Sequence, residues 1–246
     1  MLLEVENLSK FGGAYFVRDI SFSVESGTIM AVVGANGAGK TTLFNLIQGF
    51  LKQNTGTINY RGRRVEHLPA AKRAKLGIGR LWQDVRLFEN LTVLENLLAA
   101  TNHPGESIWR NIFRPRQISV VEDKNKENAE KILALIDLKD ERQKLAKQLS
   151  YGQQKLLALG RLLMNKNDLL LLDEPLSGLN PAMIDKILPF IKSLPAQGKT
   201  VLIIEHNIEK ALSVADRVIV MSAGQIQSEK AVSEFLVKES WTEMFV

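Results

Sequence analysis

The residues Gly34-Ala35-Asn36-Gly37-Ala38-Gly39-Lys40-Thr41 carry the spacing G-x-x-x-x-G-K-[ST] between a strand-like run and a helix-forming run. Glycines let the backbone curl until its N–H groups face a common point, and a following helix N-terminus adds partial positive charge. That combination suits phosphate oxygens. Lys40 is expected to reach the β- and γ-phosphates of a nucleotide, and the Thr41 hydroxyl to coordinate Mg²⁺. A glycine-rich turn beside a surface lysine is the plainer alternative, but it leaves the strand-to-helix context without a cause. With Thr42, which continues into the helix, the expected ATP-binding set is Gly34, Asn36, Gly37, Ala38, Gly39, Lys40, Thr41 and Thr42.

A second chemical element lies far downstream, where the apolar run Leu169–Leu172 ends in Asp173 and Glu174. A carboxylate leaving the carboxyl end of a buried strand stands where α/β sheets bind ligands, so Asp173 is placed to hold Mg²⁺ through water. Glu174 points elsewhere and can serve as general base toward an attacking water. Two solvated acids capping a strand are the alternative. Between these elements, Leu149-Ser150-Tyr151-Gly152-Gln153 opens a helix. Ser150 suits a plain N-cap as well as an anion site, since both use the orphan N–H groups of a first turn.

The elements that must position these residues read as an α/β core interrupted by a helical segment. Strands are expected at 2–8, 16–24, 29–33, 57–60, 78–82, 169–172, 200–204 and 218–221, and a helix at 41–48. From Leu91 to Leu149 the character is helical, with Thr92 placed to cap one helix and 127–137 forming another. Residues 101–119 hold two prolines, a glycine and several basic and aromatic side chains, and are expected to be irregular.

Bulk properties narrow the function classes. The 246 residues are 45% hydrophobic and 24% charged, as in ordinary globular proteins. No window reaches the 18 or so apolar residues that span a bilayer, and the acidic start is not expected to be a secretory signal. Without cysteine there is no disulfide framework, thiol nucleophile or zinc-thiolate site. A net charge of +5 permits contact with nucleic acid or an anionic membrane, although a solvated surface accounts for it as well.

The ordered set of the phosphate loop, Gln83, LSYGQ, LLLLDEP, SGLN and His206 resembles the ATP-binding subunit of ABC transporters, from about Leu2 to about Gln227. The resemblance implies an ABC-type P-loop NTPase core with an antiparallel β subdomain and an inserted α-helical subdomain. The expected division is a core of 1–90 and 151–230, a helical part of 91–150 and a tail of 231–246. In that family ATP is sandwiched between the loop of one protomer and the signature of another, which would bring Ser150, Gly152 and Gln153 onto the partner's nucleotide. By the same resemblance Gln83 would touch Mg²⁺ or water, and His206 would hydrogen-bond the γ-phosphate and orient Glu174. Phe11 fits the residue that stacks on adenine, with Tyr15, Phe16 and a core role as rivals. His67 and His103 sit in polar stretches and read as surface residues. Asn180 stands where many members carry aspartate, and Tyr151 where glycine is commoner.

Further runs, including LGIGRLWQDVRLFENLTVLENLL and IEHNI, resemble the ATPases of branched-chain amino-acid importers. The implied partners are a second copy or a paralogous ATPase, integral membrane permeases docking at 84–90 and the helical subdomain, and indirectly a periplasmic or extracellular solute-binding protein. The implied place is peripheral, on the cytoplasmic face of the plasma membrane, with ATP and Mg²⁺ as cofactors and no nucleic acid expected. Trp109, Arg110, Phe113, Arg114 and Arg116 would meet a permease loop or lipid headgroups, or form a solvated loop. The stretch after Gln227, with Trp241 and Phe245, departs from the tail of such relatives. Urea, other small amides or lipid-linked cargo are alternative solutes. A soluble ABC ATPase acting on DNA or ribosomes would usually add coiled coils or a second cassette. A kinase or GTPase would leave LSYGQ and His206 without a role.

Overall fold

The computed structural model describes residues 1–13, 16–101 and 115–237. In chain order the described elements are β1 (Leu3–Lys10), β2 (Val17–Val24), β3 (Ile29–Val33), α1 (Lys40–Gln48), β4 (Thr55–Tyr60), β5 (Arg63–Arg64), α2 (Ala70–Leu76), β6 (Ile78–Leu81), α3 (Val93–Leu98) and α4 (Pro115–Leu135). They continue with α5 (Tyr151–Met164), β7 (Leu169–Asp173), α6 (Pro181–Ser193), β8 (Thr200–Ile204), α7 (Ile208–Val214), β9 (Arg217–Ser222), β10 (Gln225–Ala231) and α8 (Val232–Val237). The chain forms two compact units, one of Met1–Gln83 with Asn167–Val246 and one of Asp84–Lys166.

The first unit holds two sheets. One is antiparallel, in the order β2-β1-β4-β5; the other runs β10-β9-β3-β8-β7-β6. In the second sheet β9, β3, β8, β7 and β6 are parallel and β10 adds an antiparallel edge. Every residue of β3, β7 and β8 is buried, which is why these strands read as continuous apolar runs rather than alternations. Parallel strands all end on the same side. The register pairing Val32 and Asp173 with Ile204 therefore brings the residues after β3, β7 and β8 to one edge.

Helix α1 starts from the glycine loop and is held at its other end by a buried cation. Arg73 on α2 donates from Nη1 to the carbonyls of Leu46 (2.6 Å) and Ile47 (2.8 Å), from Nε to Leu68 (2.9 Å) and from Nη2 to Glu66 (3.0 Å). The last carbonyls of a helix lack intrahelical partners, and a cation there also complements the helix dipole. Burial pushes the Arg73 guanidinium down to about 10, and the Glu66 carboxylate opposes that shift.

The second unit is helical. Thr92 caps α3 in a reciprocal box with Glu95, each satisfying the other's backbone N–H. Asn96 is fully buried: its Oδ1 accepts from Phe88 N (2.9 Å) while its Nδ2 donates to the carbonyls of Phe88, Leu91 and Thr92. Leu97, Leu133, Ile136 and Leu157 are buried in this unit. A Cβ on Gly160 of α5 would come within 2.9 Å of Ile136 Cδ1 and 3.1 Å of Ile132 Cγ2 on α4, so the absence of a side chain lets α4 approach.

Several expected boundaries move. Helix α4 begins at Pro115, inside the stretch expected to be irregular and well before the expected start at Glu127, and it ends at Leu135. Strand β1 reaches Lys10, and α2 and β10 are additional elements. Trp109, Arg110, Phe113, Arg114, Tyr15, His103, Trp241 and Phe245 lie outside the described residues, and so does the Arg116 side chain.

Replacing Arg73 by Met removes its hydrogen bonds to four carbonyls, two of them buried. Stability should fall by about 2–4 kcal/mol. Denaturant unfolding checks this: the midpoint should drop with an unchanged slope.

Candidate active site

The loop between β3 and α1 closes around its own lysine. Lys40 Nζ donates to the carbonyls of Gly34 (2.6 Å) and Ala35 (2.9 Å), and the side chain is buried. Burial pushes its pKa down, opposed by the nearby carboxylates of Glu174 and Asp173. Helix α1 has Gly39 at its N-cap with no side-chain cap, so its first N–H groups are open to an anion. A pocket lies over them, lined by residues 36–42 with Phe16, Glu174 and His206.

Glu174 leaves β7 with φ 49°, a left-handed conformation uncommon for a residue with a side chain. The turn is braced by Glu174 N donating to Ile204 O at 3.0 Å. Its carboxylate takes Gln83 Nε2 at 3.0 Å on one oxygen and His206 Nε2 on the other. The Glu174 side chain is 11% exposed and that of His206 44%. Gln83, Glu174 and His206 thus form a chain of polar contacts beside the phosphate loop. Thr41, Gln83 and Asp173 offer a hydroxyl, an amide and a carboxylate, the hard oxygen donors that Mg²⁺ prefers. No group of three or more His, Cys, Asp or Glu side chains suited to a metal occurs among the described residues.

Two other neighbours of this cluster did not stand out in the sequence. Asp173 Oδ2 is paired with Arg80 Nη2 at 2.6 Å, inside the sheet. Glu205, buried beside His206 in the chain, accepts from Leu176 N at 2.9 Å and so ties the end of β8 to the turn after Glu174. A charged residue amid apolar strand residues was the available signal in both cases.

Phe16 lines the pocket, whereas Phe11 lies against Phe16 with ring centroids 5.9 Å apart and is 44% exposed. In the other unit Ser150 caps α5: its Oγ accepts from Gln153 N at 3.3 Å and Gln153 Oε1 accepts from Ser150 N at 3.0 Å. Gln153 Nε2 also donates to Glu141 at 3.4 Å, so this side chain is occupied in shaping the helix start. Gly152 is buried in the first turn, and Tyr151 is exposed with Lys155 beside its ring. Asn180 caps α6 by accepting from Met183 N at 2.9 Å, a task asparagine and aspartate perform equally.

A parallel sheet carrying a phosphate loop after β3, with carboxylates at the same edge at the end of β7, one strand removed, defines a nucleotide-binding ATPase of the P-loop class. The family is set by comparison with known proteins: the family model described as ABC transporter matches residues 17–177, and the chain belongs to that family. It is 35% identical over 226 residues to the high-affinity branched-chain amino acid transport ATP-binding protein BraF of Pseudomonas aeruginosa, covering 91% of this chain and 89% of that protein. It is 36% identical over 229 residues to a probable branched-chain amino acid transport ATP-binding protein, LivG, of Methanocaldococcus jannaschii, covering 93% and 89%. Among solved structures, the ADP conformation of an ATP-binding cassette of an ABC transporter superposes with a TM-score of 0.84 at 34% identity, covering 99% of this chain and 97% of that one.

Gly34 is where the loop tolerates least. A Cβ there would lie 2.2 Å from the carbonyl oxygen of Met221 on β9, whereas one on Gly37 meets nothing within 4 Å. Gly34→Ala should destabilise the fold by about 1–3 kcal/mol and weaken binding of a fluorescent ATP analogue at least ~10-fold, because the loop must shift off the strand. Gly37→Ala, at φ 81°, should cost only about 1 kcal/mol of backbone strain.

Proposed function

We propose that this chain is the ATP-hydrolysing subunit of an importer for branched-chain amino acids, working as a dimer against membrane permeases. The observation that carries the reading is the Glu174 carboxylate, held between Gln83 and His206 beside the phosphate pocket. A general base must lie within hydrogen-bond reach of the water it deprotonates and be fixed there. Gln83 and His206 restrain both oxygens of Glu174, and the left-handed turn at Glu174 aims the side chain across the pocket instead of along the strand. His206, more exposed than its partner, would hydrogen-bond a γ-phosphate and orient Glu174.

Residues 34–42 would hold the phosphates through backbone N–H groups, with Lys40 leaving its carbonyl partners for β- and γ-oxygens. Thr41, Asp173 through water, and Gln83 would hold Mg²⁺, which supplies positive charge over the phosphate oxygens. The aromatic surface for adenine would be Phe16 with Phe11 behind it. Ser150 and Gly152 at the start of α5 would face the γ-phosphate bound by a second protomer, either another copy or a paralogue. In that arrangement Gln153 acts by holding Ser150 rather than by touching nucleotide.

Transport rather than another ATP-driven task is supported by the relatives, both branched-chain amino acid transport ATP-binding proteins. Among the described residues no helix is long and apolar enough to cross a membrane, so the translocation path would belong to separate permease subunits. The chain would sit peripherally on the cytoplasmic face, with a solute-binding protein delivering cargo on the other side.

Glu174→Gln should lower the hydrolysis rate by about 10²–10⁴ while ATP still binds. Hydrolysis per subunit in the unaltered chain should rise with protein concentration, because a lone protomer lacks half of each site. Leucine uptake by vesicles containing the permease should fail with the Glu174→Gln subunit. Undiminished hydrolysis in that variant would remove Glu174 from the role of base, and hydrolysis independent of concentration would remove the composite site.

A further inference from the structure

Arg80 is the next-to-last residue of β6 and lies in the parallel sheet with its side chain 1% exposed. Its guanidinium forks: Nη2 donates to Asp173 Oδ2 at 2.6 Å and Nη1 to Asn45 Oδ1 at 2.7 Å. The same planar head lies 3.9 Å from the centre of the Trp82 ring and 5.5 Å from that of Phe44. Phe44 and Asn45 belong to α1, the helix that starts at Lys40; Trp82 precedes Gln83. One side chain therefore touches the phosphate-loop helix, the carboxylate at the end of β7 and the residue before Gln83.

Stability gives no reason for this arrangement. Buried ion pairs are often matched or bettered by apolar residues of similar volume, since desolvation offsets the attraction. What an arginine adds is direction: its fork fixes the plane of a carboxylate as a lysine or an apolar residue cannot. Groups that orient a metal-binding carboxylate without touching the metal commonly change metal affinity by about 10–100-fold when removed. With Oδ2 taken by Arg80, Asp173 is held in one rotation and offers Oδ1 to a metal-bound water.

We propose that Arg80 is a positioning residue for Mg²⁺, fixing the Asp173 carboxylate against α1 so that the metal arriving with ATP finds it already oriented. The inference rests on the reading of Asp173 as the Mg²⁺ carboxylate. It is tested by titrating Mg²⁺ into the full chain with a fluorescent ATP analogue and comparing nucleotide affinity with and without EDTA. In Arg80→Gln the half-saturating Mg²⁺ concentration should rise about 10-fold or more while the affinity in EDTA stays unchanged. Arg80→Lys should recover part of the shift, because it keeps the charge on Asp173 but cannot also reach Asn45.

A merely structural role would lower the melting temperature and the EDTA affinity and leave the metal midpoint alone, and that result would overturn the proposal. Should Arg80→Gln not fold, Asn45→Ala removes one anchor of the fork and leaves the ion pair. A smaller midpoint shift of the same sign supports the proposal, and no shift overturns it. Asp173→Asn separates the two layers. An unmoved midpoint there defeats the reading of Asp173 itself, whereas a moved midpoint beside an unmoved Arg80→Gln defeats only the role of Arg80.

Discussion

Two adjacent carboxylates, Asp173 and Glu174, end a strand that is buried throughout, and both are themselves buried. Negative charge in such a place must be compensated or neutralised. Each acid meets that requirement with different partners: Asp173 with a guanidinium that is also buried, Glu174 with an amide and an imidazole at the pocket. Lys40 completes the balance from the opposite wall, where the same two carboxylates favour its charged form against burial. The elements that supply these partners (β6, α1 and the end of β8) are held to β7 by this charge pattern as well as by packing.

Much of this is legible in the order of residues alone. The phosphate loop, the strand leading into it and the apolar run before Asp173 announce themselves, because such glycine spacing and such continuous apolar stretches arise in few other settings. The features that are not legible share a physical cause. Arg80 and Glu205 are charged residues whose partners lie on elements remote in sequence, Asn45 and Asp173 for one and Leu176 for the other. Pattern along a strand reports burial, not the identity of a partner across the sheet. Phe11, Tyr15 and Phe16 could not be ranked by spacing because all three fall in one short turn-rich stretch. Which ring lines a pocket depends on how that stretch lies over the loop. Residues 101–119 read as irregular from their prolines, glycine and mixed side chains, and composition of that kind does not show that Pro115 already lies in a helix.

The two units solve the helix-end problem with opposite chemistry. Helix α1 leaves its N-terminus uncapped over the pocket and has a guanidinium on its C-terminal carbonyls. Helix α5 spends Ser150 and Gln153 on a closed box, so that the positions named by the signature motif shape a rigid turn. An open end can accept a ligand immediately. A boxed end presents a fixed set of backbone groups, and its side chains are already committed.

The contact between Gly34 and Met221 distributes mutational tolerance unevenly. Met221 takes part only through its carbonyl oxygen, so any side chain that packs in β9 can stand there, whereas position 34 has no room even for a methyl group. Drift at one partner is nearly unconstrained and at the other nearly forbidden, although the two atoms face each other. A single backbone oxygen thereby limits the alphabet of the phosphate loop from outside it, and a strand that contributes no functional side chain helps decide which sequences can bind nucleotide at all.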